Sequence, residues 1–399
     1  LILKIKRKEC LPFWKKDHLS GEMPDKDQVL FEEVEASDGY KLGRITLNSP
    51  ETLNSLTLSM INSISPQLDK WAQKEEIICI ILESIGDKAF CAGGDIRALY
   101  ESMVKHPGGP NPFAEKFFES EYRLDYQIHT YPKPVICWIN GIAMGGGVGL
   151  MLGCDFKLST ENTRFAMPEI GVGLFPDVGF TYYISKLPKN VGLYMMLTAT
   201  QIKAPDTQLI GLTDSYISSA DKEVFENELK KLNWSLDADV NKKLIQSSIN
   251  EYSKTDYLQD GLPETKLEPR IDLIQKVTNA NSLFEVVKNI ENLETKDDWF
   301  LKGKEGLKKG SPTSACLIWE QCQRSGNLSL EEVFQFELDL AIQVTRHQDF
   351  TEGIRAIIID KDNDPKWVYT KVEDVTTNWI DEHLKPAWKQ NPLKNLGNN

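Results

Sequence analysis

An α/β fold followed by a mostly helical region is predicted by three features of the sequence. Strand-like and helix-like stretches alternate with short connections over residues 28–220, the order expected when helices cross over between strands. The six-residue apolar run IICIIL at 77–82 fits a strand buried on both faces. Beyond about residue 220 strand signals fade and segments rich in Lys, Glu and Asp with helical character take over. We expect a charged extension over 1–27, an α/β core carrying the active site over 28–220, and a mostly helical region over 221–399.

Residues 29–36 and 44–47 read as strands joined across Asp38-Gly39, a hairpin signal. Residues 57–73 place Leu58, Ile61, Ile64, Leu68 and Trp71 at helical spacing, with Pro66 as an irregularity. After the strand at 77–82 comes the loop GDKAFCAGGDI, whose Asp95 is placed to cap a helix over 96–105. HPGGPNP at 106–112 is a loop, 113–129 an amphipathic helix, and 134–139 the next strand. Strand, glycine loop, helix and strand then follow up to Ser159, with helices over 180–187 and 191–197. Further helices are expected over 221–231, 283–292, 314–324 and 330–346, the last two after the break at Gly310-Ser311-Pro312-Thr313.

A net charge of −13 argues against a nucleic-acid partner, because such binding rests on neutralising phosphates. An anionic substrate would need a local basic patch against that field. The seven cysteines are scattered, form no C-x-x-C pair and read as reduced, mostly buried thiols. Residues 135–154 carry no charge and are long enough to span a bilayer, but six glycines and Asn140 interrupt them, so they read as buried core and no membrane partner is expected. Residues 1–20 are basic but lack a secretory h-region and cleavage site, which leaves open a remnant of an organelle-targeting segment.

The chemistry points to residues 141–179. Gly145, Gly146 and Gly147 precede an apolar helical run, an arrangement that lets backbone N–H groups approach a ligand. Two isolated carboxylates, Glu169 and Asp177, follow in a nearly uncharged segment, where desolvation raises a carboxyl's pKa and suits it to acid–base work. There is no G-x-S-x-G, H-E-x-x-H or P-loop motif. The five histidines lie outside this stretch and read as surface or loop residues, so the chemistry is assigned to carboxylates and backbone, with no metal.

AFCAGGDI at 89–96, NGIAMGGGVGL at 140–150, FAMPEIGVGLFPDVG at 165–179, EYRLDY at 121–126 and DFTEGIRAIIIDKDNDPKW at 349–367 together resemble the crotonase (enoyl-CoA hydratase/isomerase) superfamily. The resemblance implies a spiral of ββα units followed by helices that pack over the site or against neighbouring subunits, which allows a homo-oligomer. It implies an acyl-CoA substrate, with coenzyme A as part of the substrate and no other cofactor. It carries the oxyanion hole over to the N–H groups of Gly94 and Gly146, where each donor supplies about 3 kcal/mol to a developing oxyanion. Glu169 and Asp177 become the catalytic pair. Leu53, Gly93, Asp95, Ile96, Glu121 and Phe180 become substrate-binding residues, although Glu121 reads equally well as a solvated helix charge.

Hydratases of the superfamily carry a second glutamate where this chain has Gly149. The resemblance is therefore to the hydrolase branch, which cleaves short-chain 3-hydroxyacyl-CoA thioesters. Its alternatives are a hydratase or isomerase using Glu169 alone and a non-catalytic subunit of a larger assembly. Two departures bear on this choice. Ser49-Pro50-Glu51 stands where relatives show Arg-Pro-Lys, and Phe180 stands where they have another glycine and is expected to reshape the acyl pocket. Lys302, Lys304, Lys308 and Lys309 read either as replacements for the missing positive charge or as a solvated helix face. The expected compartment is a bacterial cytoplasm or the mitochondrial matrix, with the cytoplasm favoured.

Overall fold

Asp38-Gly39 turns the chain between β1 (Val29–Glu35) and β2 (Lys41–Leu47), which pair antiparallel with Val29 opposite Leu47. The structure, a computed structural model, describes residues 28–253 and 264–397. The expected extension over 1–27, with Cys10 and His18, lies outside the described residues.

After α1 (Leu58–Ala72), β2 pairs parallel with β3 (Ile77–Ser84), the strand of the IICIIL run. The chain then repeats one pattern. A longer strand enters a first sheet, a short strand enters a second sheet, and a helix or helical turn follows. The pairs are β3 with β4 (Ala89–Cys91), β5 (Val135–Ile139) with β6 (Ile142–Met144), and β7 (Phe156–Ser159) with β8 (Arg164–Ala166). β9 (Ile202–Lys203) and β10 (Ser215–Tyr216) close the two sheets. The first sheet runs β1-β2-β3-β5-β7-β10 and the second β4-β6-β8-β9. This is a spiral of ββα units.

β3 and β5 are buried on both faces. One face packs into the main core with α1. The other meets Phe225 and Leu229 of α8 (Lys222–Leu229) and Ile245 and Ile249 of α9 (Ala238–Tyr252). Between the strands lie α2 (Ile96–Lys105), capped by the Asp95 side chain, α3 (Pro112–His129), α4 (Gly146–Leu152), α5 (Phe180–Ile184), α6 (Val191–Thr198) and α7 (Ala204–Leu209). Pro66 sits inside α1 without ending it.

The later helices are α10 (Ile271–Thr278), α11 (Leu283–Glu291), α12 (Asp298–Lys309), α13 (Pro312–Arg324), α14 (Leu330–Thr345), α15 (Gln348–Ile354) and α16 (Thr377–His383). Their apolar faces join the same core as the spiral: Ile318, Phe334, Leu338 and Phe350 cluster with Tyr122, Phe175 and Val178. Two histidines expected at the surface are not there. His383 is buried with its ring stacked on His347 at 3.7 Å, and His129 sits in α3 against Tyr183 and Phe334, where burial holds its pKa down at about 4. No helix among the described residues is long and apolar enough to cross a membrane.

The seven residues of α4 are all buried, and the helix lies so close to β4 that a Cβ on Gly147 would stand 2.2 Å from the Cys91 carbonyl oxygen. Gly147→Ala must therefore push α4 off β4. Overpacking of this kind costs about 1–3 kcal/mol, and we expect the urea unfolding midpoint to fall accordingly. An unchanged midpoint would show that the packing yields without cost.

Candidate active site

A cavity of about 650 Å³ opens between the spiral and the later helices. Leu53, Gly93, Gly94, Asp95, Ile96, Glu121, Gly146, Glu169 and Asp177 all line it. Phe180 does not. Its ring is buried against Phe165, so the expectation that it shapes the acyl pocket is corrected: as the first residue of α5 it points into the core.

The two expected amide donors meet at the cavity floor. A parallel bridge between Leu56 and Gly94 uses the N–H groups of Leu56 and Asp95, leaving that of Gly94 outside the pairing. Gly146 is the first residue of α4, where an N–H has no acceptor within the helix. The strands β4 and β6, paired in parallel, bring the two loops together, and the Gly94 nitrogen lies 3.2 Å from where a Gly146 Cβ would be. That Cβ would also stand 2.3 Å from Glu121 Oε1, so only glycine fits beside this carboxyl.

Glu121 comes from α3. It is almost fully buried, its Oε1 has no hydrogen-bond partner, and burial, then Asp177, pushes its pKa well above the usual range. A solvated helix charge it is not. Glu169 opens the helical turn Glu169–Val172 after β8, with Oε1 3.2 Å from a Cβ built at Gly145 and Oε2 unpartnered. Burial first and Asp177 second raise its pKa well above the carboxylate range. Asp177 accepts a 2.7 Å hydrogen bond from the Tyr122 hydroxyl, which offsets part of its desolvation, and its pKa is pushed up to about 6.

Two further carboxyls lie behind the lining. Asp125, one turn after Glu121 on α3, is fully buried with both oxygens unpartnered, and burial with the neighbouring acids raises its pKa well above normal. Glu337 of α14 accepts hydrogen bonds from the N–H groups of Gly179 at 2.6 Å and Thr181 at 3.0 Å, and burial pushes its pKa up to about 8. Among the described residues, none of these five carboxyls is in an ion pair, and no group of His, Cys, Asp and Glu is placed to hold a metal ion.

Several lining residues escaped the sequence reading. Arg97 is exposed at the cavity rim, and Phe350, Ile357 and Ile358 close the wall from the segment after α14. Ile357 and Ile358 belong to the DFTEGIRAIIIDKDNDPKW stretch, whose run of three isoleucines is the signal that could have found them. The lysines at 302–309 do not line the cavity. Lys304 donates to the Leu293 carbonyl and Lys309 pairs with Glu305.

Unpaired N–H groups beside desolvated carboxyls in an apolar cavity suit attack on a carbonyl carbon. The family model described as enoyl-CoA hydratase/isomerase matches residues 42–384. The chain is 39% identical over 355 residues to the mitochondrial 3-hydroxyisobutyryl-CoA hydrolase of Danio rerio, covering 89% of this chain and 88% of the relative. Among solved structures it resembles an enoyl-CoA hydratase from Rhodobacter sphaeroides 2.4.1 with a TM-score of 0.77 and 29% identity, over 90% of this chain and 98% of that one. It also resembles a carnitinyl-CoA dehydratase from Mycobacterium thermoresistibile with a TM-score of 0.80 and 26% identity, over 92% and 99%. With the ββα spiral, the paired glycine loops and these matches together, the chain belongs to the enoyl-CoA hydratase/isomerase family and has the crotonase fold.

Proposed function

We propose that this protein hydrolyses 3-hydroxyisobutyryl-CoA to 3-hydroxyisobutyrate and coenzyme A, a step of valine breakdown. The observation that carries the reading is the grouping of Glu169 and Asp177 with the amides of Gly94 and Gly146 in one apolar cavity, with no acid at position 149. The name of the Danio rerio relative supports the substrate, and the word mitochondrial in it favours that location over a bacterial cytoplasm.

In this reading the thioester carbonyl oxygen sits between the Gly94 and Gly146 amides, which hold the negative charge that develops there. Ionised Glu169 either attacks the carbonyl carbon or draws a proton from the water that does. If Glu169 attacks, the C–S bond breaks to leave an anhydride between the acyl group and Glu169. Water then opens it, freeing 3-hydroxyisobutyrate and Glu169, and a proton from that water goes to the thiolate. If Glu169 is the base, the water oxygen bonds the carbonyl carbon, the C–S bond breaks, and the proton taken by Glu169 passes to the sulfur as the free thiol leaves. Asp177 accepts a hydrogen bond from the 3-hydroxyl, and Glu121 faces the acyl group beside Gly146. Arg97, the exposed cation at the rim, is the candidate for the coenzyme A phosphates. No cofactor enters these steps.

The reaction type is tested by offering 3-hydroxyisobutyryl-CoA and crotonyl-CoA side by side. We expect thiol release from the first and little hydration of the second. Fast hydration without thiol release would instead make the protein a hydratase.

Glu169→Gln keeps the shape and removes the charge, so turnover should fall by at least about 10²-fold with binding largely kept. In the parent enzyme the reactive ionised form of Glu169 grows as pH rises through its raised pKa. The acid limb of kcat/KM should therefore have its midpoint above 4.5, the ordinary glutamate value. A profile flat from pH 7 down to 4.5 would take Glu169 out of the ionised role.

Binding isobutyryl-CoA would leave Asp177 with its Tyr122 bond but without the donor that the 3-hydroxyl supplies. A lost hydrogen bond in a buried site costs about 1–3 kcal/mol, so the enzyme should prefer 3-hydroxylated acyl groups over isobutyryl-CoA by about tenfold or more. Asp177→Ala should erase most of that preference. Equal losses for both substrates would mean that Asp177 moves protons or orders Glu169 and does not read the hydroxyl.

A further inference from the structure

The loop that carries Asp177 is held in a conformation its sequence disfavours. Val178, the next residue, has φ +56°, left-handed backbone that a β-branched side chain rarely adopts. Gly179 follows at φ +85°. Such a conformation persists only where the surroundings over-determine it.

Here the surroundings are two fully buried side chains from later helices. Gln321 of α13 donates through Nε2 to the Pro176 carbonyl at 2.6 Å and to Thr181 Oγ1 at 2.8 Å. Glu337 of α14 accepts from the Gly179 N–H through Oε2 at 2.6 Å and from the Thr181 N–H through Oε1 at 3.0 Å. The loop is thus tied immediately before Asp177 and again immediately after Val178, and between the ties the Asp177 carbonyl accepts from the Phe180 N–H at 2.9 Å. The same helix fixes the side chain's partner: the Phe334 ring of α14 packs on Tyr122 at 5.9 Å, and Tyr122 holds Asp177 Oδ2.

A helix cap alone would be met by Glu337 on the two N–H groups at the start of α5. It would not require Gln321 on the far side of Asp177, nor a strained valine between the two. We propose that Glu337 and Gln321 are positioning residues that clamp the 176–181 backbone and thereby aim the Asp177 carboxylate into the cavity. This rests on the reading of Asp177 given above. It makes α13 and α14 part of the site's machinery although neither lines the cavity.

The test uses the full chain with Glu337→Gln, Gln321→Leu, and each combined with Val178→Gly, which accepts a positive φ without strain. Glu337→Gln leaves one N–H without an acceptor and should let the loop relax. Its crystal structure should show Val178 moved to negative φ and the 2.7 Å hydrogen bond from Tyr122 to Asp177 broken. In turnover, kcat should fall about tenfold or more with a smaller change in KM, and the preference for 3-hydroxylated substrate should shrink as in Asp177→Ala. Adding Glu337→Gln to Asp177→Ala should then change little, because the two act on one interaction. Val178→Gly should restore most of the loss in either clamp variant. The proposal is overturned if both clamp variants are less stable yet keep the loop, kcat and preference of the parent. It is equally overturned if a variant is not recovered folded and Val178→Gly does not repair it, because the clamp then serves the fold alone. The crystallographic readout needs no substrate, so a parent enzyme that releases no thiol would refute the proposed reaction without touching the clamp.

Discussion

Keeping carboxyl groups out of water without a cation beside them is the constraint on which this structure turns. Glu121, Asp125, Glu169, Asp177 and Glu337 are buried within one region, and among the described residues none is neutralised by Lys or Arg. A buried carboxylate with no counter-charge is costly, so such groups take up protons instead. For a group whose pKa is raised on folding, the folded chain binds more protons, and the stability it contributes is lost as pH rises through the folded value. In the proposed reaction the gain would be reactivity, because a carboxylate stripped of water beside two free amides would meet a carbonyl carbon with little solvent to reorganise.

The glycines follow from the carboxyls. At Gly146 a Cβ would overlap Glu121 Oε1, and at Gly149 it would lie 2.6 Å from Asp125 Oδ2 and 2.7 Å from Val178 Cβ. At this position, where hydratases resembling this chain carry their second glutamate, any side chain here would run into a carboxyl delivered from α3. Position 149 is glycine because Asp125 is already there. The absence of an acid in the sequence at that position thus corresponds to an acid in space.

Local signals were enough for most elements. The buried strand at 77–82, the Asp95 cap and the hairpin at Asp38-Gly39 depend on residues close in sequence, and each is found with bounds shifted by a residue or two; β2 begins three residues earlier than expected, at Lys41. The lining residues on the glycine loops were legible because their motifs are contiguous. Glu337 and Gln321 were not, because their partners lie 158 and 145 residues away and nothing near either residue marks it as more than a helical polar position. Phe180 misled for a related reason. Its neighbour Asp177 faces the cavity, but the left-handed turn at Val178 and Gly179 redirects the chain, so three residues later the side chain points into the core.

The same long-range logic applies to Glu169. The turn that carries it is tied to the start of α13, where the Ser311 N–H donates to the Ile170 carbonyl at 2.9 Å. α15 packs so closely on that turn that a Cβ on Gly353 would stand 2.2 Å from the Val172 carbonyl oxygen. Asp349, at the start of α15, locks this packing by accepting from Ser311 Oγ at 2.7 Å and from the Val368 N–H at 2.8 Å. Beyond it, the turn Arg355–Ile359 sets Ile357 and Ile358 on the cavity wall while Arg355 is gripped by Glu352, Asp360 and Asp362. Both acids assigned to the chemistry therefore sit on short segments that the spiral leaves at its surface and that the later helices hold down. The spiral supplies the amides, and the helices fix where the carboxylates stand relative to them.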